Sequence, residues 1–327
     1  MICLAAAPLS AQQAKNLLFY GNSYSQRNGS VADLVQFLAI EAGHPAPTVV
    51  KRFTGGSDLQ FHATDAADVQ AIGSSLPAGQ QWHAVVLQGQ SLEATDALGD
   101  PQQFRGSAVD IVDNVRAHSP NADVVLYQTW ARAESHFLYP GTFATPVVMH
   151  DQIRANYRLA AQDIDVAHGA GTATVAAVGD GVALLEFADG YYEGDLYHPA
   201  PAMTLLAGMS LFTSIYGQRV CELSPDFQSS SPLVTRLQGV VAGAVGAVAQ
   251  AAASSAATNG ASRRAAGAAR AAEVGRVASI GCTGTGAASA VPRRRRPDCG
   301  AAGPSHVVPP EGLEPSTRGL RIRCSTD

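Results

Sequence analysis

A three-layer α/β/α sandwich around a parallel five-stranded sheet is the fold class this sequence predicts, and three observations predict it. Short apolar runs alternate with longer stretches of helical character. The apolar runs are continuous rather than alternating, the pattern of strands buried on both faces. Polar and glycine-rich clusters follow those runs directly, and open α/β sheets collect function at the carboxyl ends of their strands.

Taken in chain order, the first strand is expected at 16–22 (NLLFYGN), ended by the small and polar Gly21, Asn22 and Ser23. A helix at 30–42 (SVADLVQFLAIEA) returns the chain to a second strand at 48–54 (TVVKRFT), which runs into Gly55, Gly56 and Ser57. A helix at 63–75 precedes the third strand at 83–89 (HAVVLQG), closed by Gln88, Gly89, Gln90 and Ser91. A helix at 102–118 leads to the fourth strand at 123–129 (DVVLYQT), followed by Trp130. The helix at 147–168 precedes the fifth strand at 172–178 (TATVAAV), and a last body helix is expected at 200–216. Strand–helix alternation of this kind implies right-handed crossovers.

The 327 residues are 46% hydrophobic and 15% charged with mean hydropathy +0.03, which suits one large globular domain. No apolar run has the length needed to span a bilayer as a helix. Residues 1–14 (MICLAAAPLSAQQA) have the apolar stretch and small-residue close of a secretion signal shortened at its basic end, so a secreted or periplasmic bacterial location is expected. The folded body is expected over 15–257, with a terminal helix near 231–257 suggested by Leu233, Leu237, Val240, Val241 and Val245. Residues 258–327 contain eleven of the chain's Arg and only five acids, and no aromatic follows Phe227. This Ala/Gly/Arg-rich segment reads as a disordered tail. Its Arg run lacks the stacking aromatics of a nucleic-acid site, so no nucleic-acid partner is expected. Only Cys221 of the five cysteines lies in the body, without CxxC spacing, so neither a disulfide framework nor a metal site is expected.

A serine becomes a nucleophile when a histidine takes its proton and a carboxylate holds that histidine in the right tautomer. Ser23 ends the first strand, and Asp195 and His198 stand three apart before Pro199 and the last body helix. A second Asp-x-x-His, Asp165 and His168, closes the helix that enters strand five. It therefore belongs at the amino edge of the sheet, where His168 has a helix-end role. Position selects Ser23, Asp195 and His198 as the catalytic set. Donors for a developing oxyanion would be the N–H of Ser23, the N–H of Gly56 and the side-chain amide of Gln88 or Gln90. Tyr24, Trp130 and Tyr197, with Tyr191 and Tyr192, are candidates to stack on a sugar.

These blocks resemble the SGNH (GDSL-like) hydrolases over roughly residues 15–250. GNSYS resembles the family's first block with Ser23 as nucleophile, GGSDL the second with Gly56, and DLYHP the last with Asp195 and His198. The GNS opening, VVLQGQS and QTWA are closest to a bacterial branch of that superfamily. Asn22 replaces the Asp of GDS, and the third-block Gly-x-Asn is missing, so its role passes to Gln88 or Gln90. The resemblance implies a flavodoxin-like sheet and a serine esterase without cofactor, acting on small acyl esters, with acetyl esters of carbohydrate preferred. Two other classes stay open at this point: a flavodoxin-like flavin protein, with GNSYSQ as its phosphate loop, and a noncatalytic carbohydrate-binding protein. Oligomeric state is not legible.

Overall fold

A computed structural model describes residues 13–220, 223, 234, 237–246 and 250. The chain divides into two units, Met1–Cys282 and Thr283–Asp327, and every described residue lies in the first. Most of the expected signal segment, Cys221, Leu233 and the expected tail lie outside the described residues.

Five strands form one parallel sheet in the order β2-β1-β3-β4-β5: β1 (Asn16–Gly21), β2 (Thr48–Phe53), β3 (Ala84–Leu87), β4 (Asp123–Tyr127) and β5 (Ala173–Ala176). All five fall within their expected ranges. The central β1 and β3 are buried at every position, whereas the edge strand β2 is not fully buried anywhere. That difference is what continuous versus mixed apolar sequence dictates.

Helices cover both faces. α2 (Val31–Glu41) and α8 (Pro201–Tyr216) pack together on one, and α3 (Leu59–Thr64), α4 (Ala66–Ser74), α5 (Pro101–His118) and α6 (Pro146–His168) form the other layer. On α5, Phe104, Ala108, Ile111, Val112 and Val115 recur at helical spacing and bury one stripe. α8 buries most of its circumference and ends at Gly217, which takes the left-handed conformation (φ 65°) that suits glycine. Among the described residues of the expected terminal helix, 237–246 are helical, with Leu237 and Val241 buried.

Three local differences have clear causes. The single helix expected at 63–75 is two, because Asp65 leaves helical geometry and its carboxylate caps the N–H of Asp68. A four-residue helix, α1 (Ser23–Gln26), starts directly after β1, with Asn22 as its cap. A seven-residue helix, α7 (Val178–Leu184), follows β5; its two glycines mask it in the sequence.

Candidate active site

The carboxyl ends of β1, β2 and β3 meet the loop before α8. Ser23 is the first residue of α1, and its Oγ lies 2.8 Å from His198 Nε2. His198 Nδ1 lies 2.6 Å from Asp195 Oδ2. The other oxygen of Asp195 accepts the backbone N–H groups of Tyr197 (3.1 Å) and His198 (2.9 Å), which fixes the carboxylate within its own turn. Burial pushes the Asp195 carboxyl up, but the hydrogen bonds from the His198 ring and these two backbone groups outweigh it and hold it below the ordinary range. Structure thus brings together the three residues that spacing and sheet position selected.

The second Asp-x-x-His pair lies elsewhere. Asp165 accepts N–H bonds from Gly171 and Ala173, shaping the turn into β5. His168 Nε2 stands 2.9 Å from the Asp113 carboxylate of α5, so its contact is with a neighbouring helix rather than the expected capping of helix-end carbonyls.

Asn22 is the hub of the strand ends. Its Nδ2 donates to Ser57 O (2.8 Å) and Gly89 O (3.4 Å), and its Oδ1 accepts from Tyr24 N and Gln88 Nε2. An aspartate could not make the two donated bonds, which explains the amide where GDS sequences carry an acid. Gln88 is fully buried; its Oε1 accepts from Asn22 N (3.1 Å) and Ser25 Oγ (2.8 Å), and its Nε2 donates to Asn22 and to Gly89 O. Both amide hydrogens are therefore spent inside the protein, which removes Gln88 from the candidate oxyanion donors. Gly21 is glycine for space: a Cβ there would lie 2.6 Å from Ser25 Oγ and 2.8 Å from Gln88 Oε1.

Gln90 is half-buried, and its Oε1 accepts from Leu92 N at 2.6 Å. Its Nε2, like the backbone N–H of Ser23 and of Gly56, donates to no group among the described residues. Gly56 holds φ 75°, a left-handed conformation that favours glycine, and stands exposed. Gly56 and Gln90 line a shallow cleft of about 350 Å³ with Asp58, Glu93, Leu98, Gly99, Asp100 and Gln103. Burial lifts the Glu93 carboxyl to about 7, against the pull of hydrogen bonds from Gln90 N and Leu59 N.

The aromatic residues divide. Tyr24 and Trp130 are 2% and 0% exposed, and their rings stack on each other at 4.4 Å. They are core, so their expected role as sugar platforms is corrected: a buried ring has no free face. Tyr192 is likewise buried, its hydroxyl donating to Ala131 O. Tyr197 is half-buried beside the His198 ring at 4.2 Å, and it keeps a surface.

Sequence reasoning missed a second Ser-His-Asp chain. Ser57 Oγ lies 2.9 Å from His62 Nε2, and His62 Nδ1 lies 2.5 Å from Asp68, which also pairs with Arg52. His62 Nε2 also faces the Gly21 carbonyl at 3.0 Å, and Ser57 Oγ donates to Thr54 O at 2.8 Å. This group is buried and knits the β2 loop to β1. Glu193, Asp195 and His198 bring ligand-type atoms within 4.8 Å of one another, but Glu193 pairs with Arg27 and Asp195 with His198.

No protein-family model and no curated protein matches the sequence. Solved structures do. A candidate SGNH hydrolase from Slackia heliotrinireducens is 21% identical and superposes with a TM-score of 0.50, over 62% of this chain and 100% of its own. A DUF4886 family protein from Bacteroides uniformis is 17% identical with a TM-score of 0.56, over 70% of this chain and 93% of its own. The chain shares the fold of these solved structures, the α/β/α architecture around a parallel five-stranded sheet that the sequence predicts.

Proposed function

We propose that the protein is a serine esterase that cleaves small acyl esters through an acyl-serine intermediate, with acetyl esters of carbohydrate as the preferred class. The observation that carries this reading is the continuous chain Ser23 Oγ, His198, Asp195, at 2.8 and 2.6 Å, on the carboxyl edge of the sheet. A flavin-binding protein would give that chain no task. A purely sugar-binding protein would need the exposed rings that Tyr24 and Trp130 do not offer.

In the proposed reaction Ser23 Oγ attacks the ester carbonyl carbon while His198 Nε2 takes its proton. Asp195 holds the ring through Nδ1 and stabilises the imidazolium. The N–H groups of Ser23 and Gly56 and Nε2 of Gln90 receive the oxyanion. Collapse expels the alcohol, protonated by His198. A water then attacks the acyl-serine with His198 again as base, releasing acid and free Ser23. All bonds are exchanged within ester and water, so no redox partner enters.

The polar cleft beside Gly56 and Gln90, with carboxylates and amides and a single leucine, supports a hydroxyl-rich substrate over a long acyl chain. A secreted or periplasmic site of action fits such substrates and remains part of the proposal. The test is turnover of nitrophenyl esters of graded chain length and of acetylated sugars, against Ser23→Ala. Activity confined to short acyl groups and absent from Ser23→Ala is expected; activity that survives Ser23→Ala would overturn the mechanism.

A further inference from the structure

We propose that Arg132 is a positioning residue that locks the nucleophile's segment to the base's segment, an inference that rests on the serine-esterase reading. Arg132 lies five residues beyond the end of β4 and is 6% exposed. Buried cations ordinarily sit beside anions, because an unpaired charge is costly to desolvate. Arg132 has no carboxylate partner among the described residues. Its Nη1 donates to the hydroxyl of Tyr24, its Nη2 to Ser91 Oγ at 2.9 Å, and its guanidinium carbon lies 4.6 Å above the Tyr197 ring.

Those three partners are the chain neighbours of the reacting groups. Tyr24 follows Ser23, Tyr197 precedes His198, and Ser91 follows Gln90. One rigid, planar side chain therefore touches all three segments that must converge, 175 residues apart in the case of Ser23 and His198. The adjoining chain reinforces the grip: Ala133 N donates to Leu196 O (3.0 Å) and Trp130 Nε1 to Tyr197 O (3.2 Å).

The need for such a clamp is visible at both ends. Ser23 starts a helix of four residues, too short to hold itself. Leu196 sits at φ 65°, a conformation an ordinary side chain adopts only when its surroundings impose it. Tyr24 is a fixed anchor because its ring stacks on buried Trp130 with 5° between planes. The Tyr197 ring in turn abuts the His198 imidazole at 4.2 Å. Arg132 thus acts through Tyr24 and Tyr197 on the 2.8 Å Ser23–His198 contact.

The test compares the full chain with Arg132→Met, Arg132→Lys and Tyr24→Phe. Expected in Arg132→Met is a fall in kcat of about 10–100-fold with KM little changed, the signature of lost alignment. The rate of Ser23 modification by an organophosphonate should fall in parallel. Arg132→Lys should recover part of the loss, since an ammonium keeps the ring contact but cannot reach both hydroxyls. If Arg132→Met does not fold, Tyr24→Phe decides, because it keeps the ring on Trp130 and removes only the guanidinium's acceptor. A second readout is independent of turnover: the downfield proton resonance of His198 Nδ1, present in the native chain and broadened or lost in both variants. Unchanged kcat and an unchanged His198 resonance would overturn the proposal. So would a loss seen only as raised KM for anionic esters, which would make Arg132 a substrate contact. A native chain that shows the resonance yet cleaves no ester and reacts with no phosphonate would overturn the esterase reading instead, while the resonance in the variants still judges the clamp.

Discussion

Asn22 and Gln88 hold each other by two reciprocal hydrogen bonds, Asn22 N to Gln88 Oε1 at 3.1 Å and Gln88 Nε2 to Asn22 Oδ1 at 2.9 Å. The pair joins the ends of β1 and β3 beneath Ser23, and the Asn22 side-chain amide donates to Ser57 O in the β2 loop and to Gly89 O after β3. Asn22→Asp should therefore fail as a conservative change. It replaces two donated bonds with a carboxylate facing carbonyl oxygens in a buried site, at a cost on the order of 1–3 kcal/mol or more. Urea denaturation at neutral pH checks the cost, and an aspartate variant as stable as the native chain would show that the donated bonds contribute nothing.

The two glutamines should separate cleanly. Gln88→Ala leaves the buried Asn22 N–H and the Ser25 hydroxyl without their acceptor, so its expected effect is lower stability, by about 1–3 kcal/mol. Gln90→Ala removes the amide nitrogen that has no partner among the described residues, and its expected effect is a fall in kcat of about 10²–10³ with a smaller change in KM. Melting temperature and steady-state kinetics on both variants distinguish the roles. The reverse pattern would return Gln88 to the oxyanion site.

His198→Ala should cost several orders of magnitude in turnover with little loss of folding. His168→Ala should keep activity, because its contact is with the exposed Asp113 carboxylate, and pairs of that kind are worth about 0–1 kcal/mol even when charged. Comparable catalytic losses in the two variants would sink the assignment by sheet edge.

Glu93 provides a pH signature. Its folded-state carboxyl titrates near 7, chiefly because it is buried, against an ordinary value of 4.5. Between those values the native state keeps a proton that the unfolded chain has released. This group's contribution to stability therefore falls as pH rises through the window. Asp195 has the opposite sign: its lowered carboxyl contributes stability above the ordinary carboxylate range, and that is lost as pH falls toward its folded value. Glu93→Gln should flatten the decline between about pH 5 and pH 8, a change on the order of 2–3 kcal/mol relative to the native chain. Parallel declines in both proteins would refute it.

What the sequence made legible follows the strength of its periodic signals. Buried strands such as NLLFY and AVVL, and long helices such as 146–168, carry their pattern in unbroken runs. Ser23, Asp195 and His198 were legible because sheet topology puts strand ends on one edge. Arg132 and the Ser57–His62–Asp68 group were not, because no local spacing marks which buried polar residue meets which across the fold. Tyr24 and Trp130 misled for a related reason. An aromatic just past a strand end can face the cleft or the core, and here the Tyr24–Trp130 stack directs both rings inward. Gln88 and Gln90 share a strand face, and only their partners among the described residues, Asn22 for one and none for the amide nitrogen of the other, tell them apart.

Reactivity should single out one serine among three that all touch a potential proton acceptor. Ser25 Oγ donates to Gln88 Oε1 and is 1% exposed, so it meets no base and no reagent. Ser57 stands 2.9 Å from His62, much as Ser23 stands 2.8 Å from His198, yet the chemistry differs. Ser57 Oγ donates to Thr54 O, and His62 Nε2 also faces the Gly21 carbonyl, so backbone carbonyls engage both members of this pair. Its hydroxyl is also buried, out of easy reach of a reagent. Ser23 is accessible, its N–H meets no acceptor among the described residues, and it faces a histidine whose other nitrogen is held by Asp195. A fluorophosphonate should therefore modify Ser23 stoichiometrically, leave Ser25 and Ser57 untouched, and react far more slowly with His198→Ala. Peptide mass mapping locates the adduct. An adduct on Ser57, or none on Ser23 while ester cleavage continues, would mean that the Ser23–His198 contact is not the reacting pair.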